Sequence, residues 1–233
     1  MYILTRFNPI QKTLTIDINN GLYMARMNKL RFDDAWLMDR LQLFDHYTYP
    51  SVMSQTDQDF EWIGVVHTKT PEWFIKALES HDRIKLIKSD LDTDIRISKA
   101  MTINLDSDDA LARNFIEVTR TEAAKEGASY FHSGMKVKVC TGAFITVPSG
   151  RNPFTIVGAM DNNETVFNHL HGNWPNPKII KTTSPMWLQV IHDSNIANRF
   201  KKPRKTKPLD FKFIQKYFEI SPLPSTIKLG KAI

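Results

Sequence analysis

Cysteine is all but missing from this 233-residue chain, which has one, Cys140. A lone thiol makes no internal disulfide and no thiolate zinc site, so neither can staple the fold. Glycine is scarce as well, at nine residues, and none gather into a phosphate-cradling loop. No Gly-x-Ser-x-Gly elbow is there to present a nucleophilic serine. No apolar run nears the ~18 residues that a membrane span needs. The opening MYILTRFNP is broken by Arg6 before it could act as a signal peptide. Internal repeats are lacking too, which excludes solenoids and propellers. What remains is ordinary in bulk: 42% hydrophobic and 24% charged residues mark a globular rather than a disordered chain. A chain of this length buries roughly 70% of its unfolded surface, enough for a core without staples. The expectation is a cytoplasmic globular protein with no transmembrane segment.

The charge that is present is lopsided. The formal net charge is +6, yet residues 1–198 hold 21 basic and 23 acidic side chains. Residues 199–233 hold ten basic and two acidic ones, centred on the run KKPRKTKP. Such a block suits a nucleic acid, an anionic membrane surface or plain solvent. Without interleaved aromatics or an amphipathic helical pattern, 200–233 reads as a basic C-terminal tail. Its 199–216 portion is free to touch an anionic surface.

Strand and helix signals alternate over the first 127 residues. Met1–Phe7 is β-rich. Asp33-Asp34 can cap a helix whose apolar face is Trp36, Leu37, Leu41 and Phe44. Pro50-Ser51 can open a second, short helix. Phe60–His67 reads as a buried strand, a helix opens near Pro71, and Arg83–Lys88 alternates like another strand. Met101–Leu105 is a third strand and runs straight into Asp106-Ser107-Asp108-Asp109. A helix is expected from Ala110 to about Glu126, stopped by Gly127. Beyond residue 128 come short strands: SYFH, KVKVC, GAFITV, FTIVGAM and the apolar MWLQVIH. The predicted class is α/β, a mostly parallel central sheet with helices on both faces plus a smaller antiparallel or mixed β segment.

In open α/β sheets ligands bind at the carboxyl ends of strands, which is where the acidic cluster falls. In extended backbone Asp106 and Asp108 point to one side and converge. Two such carboxylates repel unless a cation lies between them. Carboxylate oxygens are what Mg²⁺ and Mn²⁺ prefer, and Mg²⁺ is commonly completed by substrate phosphates. A diphosphate-bearing substrate suits that incomplete shell. One of Asp108 and Asp109 can instead cap the helix expected at Ala110, but a cap explains one carboxylate, not three. An EF-hand is excluded, because Ala110 and Leu111 stand at a ligand position and at the required glycine.

Other candidates are single residues. His192 ends the stretch Trp187–Ile191 and can ligate a metal or serve as a hydrogen-bonded structural residue. Asp161 and Glu164 in GAMDNNET are candidate general bases, set against a solvated turn that Asn162-Asn163 favour. Trp174 in HGNWPNP can line a groove, whereas the other tryptophans and Cys140 read as core.

Three segments together resemble one family. The first is Arg40-Leu41-Gln42-Leu43-Phe44 with Tyr49-Pro50-Ser51-Val52, Gln55-Thr56-Asp57 and Asp59-Phe60-Glu61-Trp62. The second is Leu105-Asp106-Ser107-Asp108-Asp109-Ala110-Leu111, and the third Trp187-Leu188-Gln189-Val190-Ile191-His192 with Asn195. Over roughly residues 2–199 the chain is similar to the rhamnosyltransferase family of GT-A-type glycosyltransferases. The resemblance implies a GT-A fold with a nucleotide-diphospho-sugar across the parallel sheet, its diphosphate held through Mn²⁺ or Mg²⁺. It implies Asp106 at the ribose, Asp108 and Asp109 on the metal, and His192 as a further ligand. Two departures stand out. Asn104 replaces the Arg that the family tends to carry, and Thr68-Lys69-Thr70-Pro71 replaces the acidic loop of many related transferases.

On this reading residues 1–199 form one domain, with 1–127 the nucleotide-sugar half and 128–199 the acceptor half. Arg6 and Asn8, ending the first strand, fall near the nucleotide by position. If the transfer inverts configuration, a base must take the acceptor's hydroxyl proton, Asp161 first and Glu164 second. The expected function is metal-dependent transfer of a sugar, rhamnose among them, from a nucleotide-diphospho-sugar to a glycan or other hydroxyl acceptor. The alternative is a metal-dependent nuclease that uses the acidic cluster and the basic tail. A third reading is a sugar- or nucleotide-binding module without catalysis.

Overall fold

The computed structural model describes residues 1–10, 30–139, 142–149, 152–170, 173–192, 207–208 and 210–222. Cys140, Asn195 and the basic run 199–206 lie outside the described residues. Strand β1 (Tyr2–Arg6) is buried on both sides, Ile3 entering one core and Leu4 another. Helix α1 (Asp34–Leu43) opens at Asp33, whose carboxylate accepts from the Trp36 N–H at 2.9 Å, the cap expected there. The second helix does not start afresh at Pro50. A π-helical turn, Phe44–Thr48, carries α1 directly into α2 (Tyr49–Met53), and Pro50 sits in the first turn of α2, where a missing N–H is tolerated. Strand β2 (Glu61–Val66), helix α3 (Glu72–Glu79), strand β3 (Ile84–Lys88) and strand β4 (Thr102–Asn104) follow as read.

The reading fails just after the acidic cluster. Ala110–Leu111 is a strand, β5, and helix α4 is only Phe115–Glu122. Both residues of β5 are fully buried, and an edge strand buries them on both sides where a helix would leave one side to water. Asn114 is the N-cap of α4 and no side chain caps it, so neither Asp108 nor Asp109 has that role. Gly127 does adopt a positive φ of 74°, but α4 has already ended at Ala123. Then come β6 (Ala128–Phe131), β7 (Ser133–Lys138), β8 (Ala143–Pro148), β9 (Ile156–Val157), β10 (Lys178–Ile180), β11 (Trp187–Ile191), β12 (Lys207–Pro208) and α5 (Phe211–Ile214).

Among the described residues two sheets form. The larger has seven strands in the order β10-β6-β9-β4-β1-β2-β3, with β4, β1, β2 and β3 parallel and β9 antiparallel between β4 and β6. The smaller, β12-β8-β7-β11-β5, is mixed. The class is α/β with a mostly parallel sheet and a smaller mixed one. The described helices gather on one side. Trp36, Leu37, Phe74, Leu78, Phe115 and Ile116 share a core with Met135, Val137 and Trp187 of the small sheet. The opposite face, with Leu4, Ile63 and Val65, is covered by loop residues Ile95, Ile97, Val166, Phe167 and Trp174. Trp174 is therefore core and lines no groove.

The described part of the expected tail belongs to the domain. Ile214 and Phe218 are fully buried, Lys207–Pro208 pairs with β8, and Arg113 donates to the Gln215 carbonyl at 2.8 Å. No described helix is long and apolar enough to cross a membrane.

Candidate active site

Parallel pairing brings the ends of β1 and β4 together. Leu4 is in register with Asn104, and the Leu105 N–H donates to the Leu4 carbonyl at 3.1 Å. Arg6 and Asp106 thus emerge side by side at the carboxyl edge of the sheet. One Arg6 nitrogen donates to Asp92 Oδ2 at 3.0 Å; the other reaches Asn104 Oδ1 at 3.3 Å and Asp106 Oδ1 at 3.4 Å. The guanidinium also lies 4.8 Å over the Phe167 ring. Asp92 is fully buried, whereas the Asp106 side chain keeps 28% of its surface open. Asn104 links Arg6 to the Pro153 carbonyl, where the family tends to carry an arginine.

The chain turns at once, the Asp109 N–H donating to the Asp106 carbonyl at 3.1 Å. Two adjacent carboxyls then meet opposite surroundings. Asp108 Oδ2 accepts from Arg40 Nη1 at 2.8 Å and contacts His192 Nε2 at 2.9 Å. Burial pushes the Asp108 carboxyl up, but the charge of Arg40 and the contact with His192 outweigh it and hold the group well below the usual carboxylate range. Asp109 Oδ1 accepts from the Val190 N–H at 2.8 Å, while its buried Oδ2 has no hydrogen-bond partner. Burial first, then the charges of Asp108 and Asp106, push the Asp109 carboxyl well above that range.

The polar residues of the first family-like segment hold this turn. The Thr48 hydroxyl donates to the Asp109 carbonyl at 2.8 Å, and Ser51 Oγ accepts from the Leu111 N–H at 3.2 Å. Gln55 donates to the Ala112 carbonyl at 2.8 Å and accepts from the Ile116 N–H at 3.0 Å. The π-helical turn sets Thr48 on the face where it reaches the acidic loop.

Of the residues singled out by sequence, Arg6, Asp106, Asp108, Asp109 and His192 come together. Asn8 does not face a ligand. Its amide oxygen accepts from the His67 N–H and the Thr70 hydroxyl, both at 3.0 Å, and its nitrogen donates to the Arg31 carbonyl at 2.9 Å. Asp161 lies elsewhere. Val157 pairs with Thr102, at the start of β4, so the chain leaving β9 reaches the edge opposite to Asp106. There Asp161 lines a cavity of about 260 Å³ with Glu126, Ala159, Met160 and Asn162. Glu164 pairs with His169 at 3.4 Å, next to Val166, whose N–H donates to Thr102 Oγ1.

The four-residue metal set is not assembled as a set of ligands. Among the described residues no three His, Cys, Asp or Glu side chains are grouped to hold a metal ion. His192 is turned to Asp108, Asp108 to Arg40, and Asp109 to a backbone N–H. A cation fits on Asp106, the open carboxylate, with phosphate oxygens completing its shell.

Four residues escaped the sequence reading: Arg40, Asp92, Gln189 and Lys136. Arg40 and Gln189 stood inside quoted motifs, and Asp92 followed a predicted strand end, but nothing local shows their partners. Lys136 is half-buried, which pulls its ammonium pKa down, with Asp109 opposing.

The family described as "Putative rhamnosyl transferase" matches residues 1–88 and 75–204. No curated protein matches the chain. Among solved structures it is similar to S. aureus TarS 1–349 in complex with UDP-GlcNAc, at a TM-score of 0.41 and 7% identity, over 86% of this chain and 61% of that one. It is also similar to TarS 1–349 in complex with UDP, at a TM-score of 0.37 and 8% identity, over 82% and 60%. The chain thus spans about three fifths of the length of these structures.

Proposed function

The chain belongs to the family described as "Putative rhamnosyl transferase", and on that footing we propose that it moves a sugar, rhamnose or a related hexose, from a nucleoside-diphospho-sugar to a hydroxyl acceptor. The observation that carries this reading is the meeting of Arg6 with Asp106 at the adjoining carboxyl ends of parallel strands. That is where open α/β sheets receive nucleotides.

Asp106 would hold a Mn²⁺ or Mg²⁺ ion, which supplies charge neutralisation for the departing nucleoside diphosphate. The protein's own part is positional. Arg6 orients Asp106 and ties it to buried Asp92. Arg40 and His192 keep Asp108 ionised and fix the loop, so Asp106 is presented without reorganisation.

The test is nucleoside diphosphate release from UDP-, GDP- and dTDP-sugars with Mn²⁺ or EDTA, alongside nicking of plasmid DNA under the same conditions. Release from at least one donor, lost in Asp106→Asn and absent on plasmid, is the expected result. Nicking without donor turnover would replace this reading with the nuclease.

A further inference from the structure

A row of polar side chains crosses the small sheet beside the acidic turn. Lys136 on β7 is in register with Gln189 on β11. Leu188 is in register with Ala110, so Asp109 stands opposite Gln189 as the next position, a placement fixed by the Val190 N–H bond to Asp109 Oδ1. Cross-strand partners share a face, so Asp109, Gln189 and Lys136 lie side by side on one surface. Asp109 is 1% exposed and Gln189 4% exposed. Asp109 Oδ2 and Gln189 Oε1 are both buried with no hydrogen-bond partner.

Leaving two acceptors unpaired in one buried row is costly, and native proteins pair such groups. The row also defines its occupant. A phosphate would meet the carboxyls of Asp109 and Asp108, and an ammonium would meet Lys136. A hydroxyl group is uncharged, donates to the two orphan oxygens and accepts from the lysine. Adjacent hydroxyls of a pyranose ring offer that combination at neighbouring positions. Because Asp109 closes the same turn as Asp106, the ring nearest the row is the one attached to a diphosphate held at Asp106.

We propose that Asp109, Gln189 and Lys136 form a subsite for the hydroxyls of the donor sugar, a role that rests on the donor-binding reading above. Gln189 and Asp109 accept from the ring, and Lys136 donates from the half-buried end of the row. The subsite then recognises the sugar and leaves the nucleotide to other residues.

Calorimetric titration separates these parts. Wild type, Gln189→Leu and Lys136→Met are each titrated with UDP and dTDP, then with UDP-glucose and dTDP-rhamnose, in Mn²⁺. Both variants should bind the better sugar nucleotide about tenfold more weakly, the scale of a lost hydrogen bond to a charged or buried group, with the affinity for its bare diphosphate unmoved. Equal weakening of diphosphate and sugar nucleotide, or none of either, overturns the subsite while leaving the donor-binding reading intact. If wild type binds none of the four, that reading fails and the subsite falls with it. Should Gln189→Leu not fold, Lys136→Met decides alone, since its side chain is only half-buried.

Discussion

Asp108 and Asp109 are neighbours in sequence, yet their partners drive them apart. Asp108 faces the Arg40 guanidinium and His192; Asp109 faces a backbone N–H and the charge of Asp108 itself. The consequences differ in sign. With its pKa lowered, Asp108 stabilises the fold above the unfolded carboxyl value of ~3.9, and this is lost as pH falls through the lower folded value. Arg40→Met strands a buried carboxylate, and should cost about 3–5 kcal/mol at neutral pH, the range for breaking a buried pair. Denaturant unfolding should show that penalty shrinking in acid. Asp109 has the reverse linkage. Its raised pKa means that stability present below ~3.9 is lost as pH rises through the folded value. Asp109→Asn should therefore melt above wild type at pH 7, with the gap closing as pH falls towards 4. A variant that melts lower at both pH values would show that the Asp109 charge is compensated.

Strand pairing decides which side chains meet at the site. Gly134 on β7 is in register with Trp187 on β11, and a Cβ there would lie 2.0 Å from two ring carbons of Trp187. The indole cannot yield. It stacks on Phe154 at 5.2 Å and 19°, and its N–H donates to the Phe131 carbonyl at 3.0 Å. Gly134→Ala should cost about 3 kcal/mol of stability in denaturant melts, the upper range for overpacking. A shift under about 0.5 kcal/mol, typical of unconstrained surface positions, would mean that the strands part freely. The same pairings mark what was legible. β1, β2 and β3 could be read because each is a continuous apolar run of ordinary length. β5 could not, because two residues have no period and their partner, Trp187–Leu188, is distant in the chain. The acidic cluster was legible as a cluster, being local. That Arg40 and His192 answer Asp108, and leave Asp106 the open carboxylate, depends on three elements meeting in space.

At the scale of the whole molecule, composition misled in one respect. Ten basic residues against two acidic ones made 199–233 look like a solvated tail. Yet Ile214, Phe218 and Ile220 are buried in the main core, and the Arg113 N–H donates to the Tyr217 carbonyl at 3.1 Å. Apolar residues spaced among lysines can still form one buried face. Deleting residues 210–233 exposes that core. Burial of each large side chain is worth roughly 1.5–3 kcal/mol, so the truncated chain should be insoluble or should melt well below wild type. A truncated domain with an unchanged melting temperature would return the segment to the status of a tail.

The central claim is that Arg6 and Asp106 mark the diphosphate end of a donor site, and affinity tests it without knowledge of the acceptor. Wild type and Asp106→Asn are titrated calorimetrically with UDP, GDP and dTDP in Mn²⁺ and again in EDTA. Wild type should bind one diphosphate about 10–100-fold more tightly with Mn²⁺, the scale of a metal-site contribution, and Asp106→Asn should erase that gap without lowering the melting temperature of the ligand-free protein. Equal affinity in Mn²⁺ and EDTA for wild type, or an Asp106→Asn variant that keeps the full gap, would contradict the account.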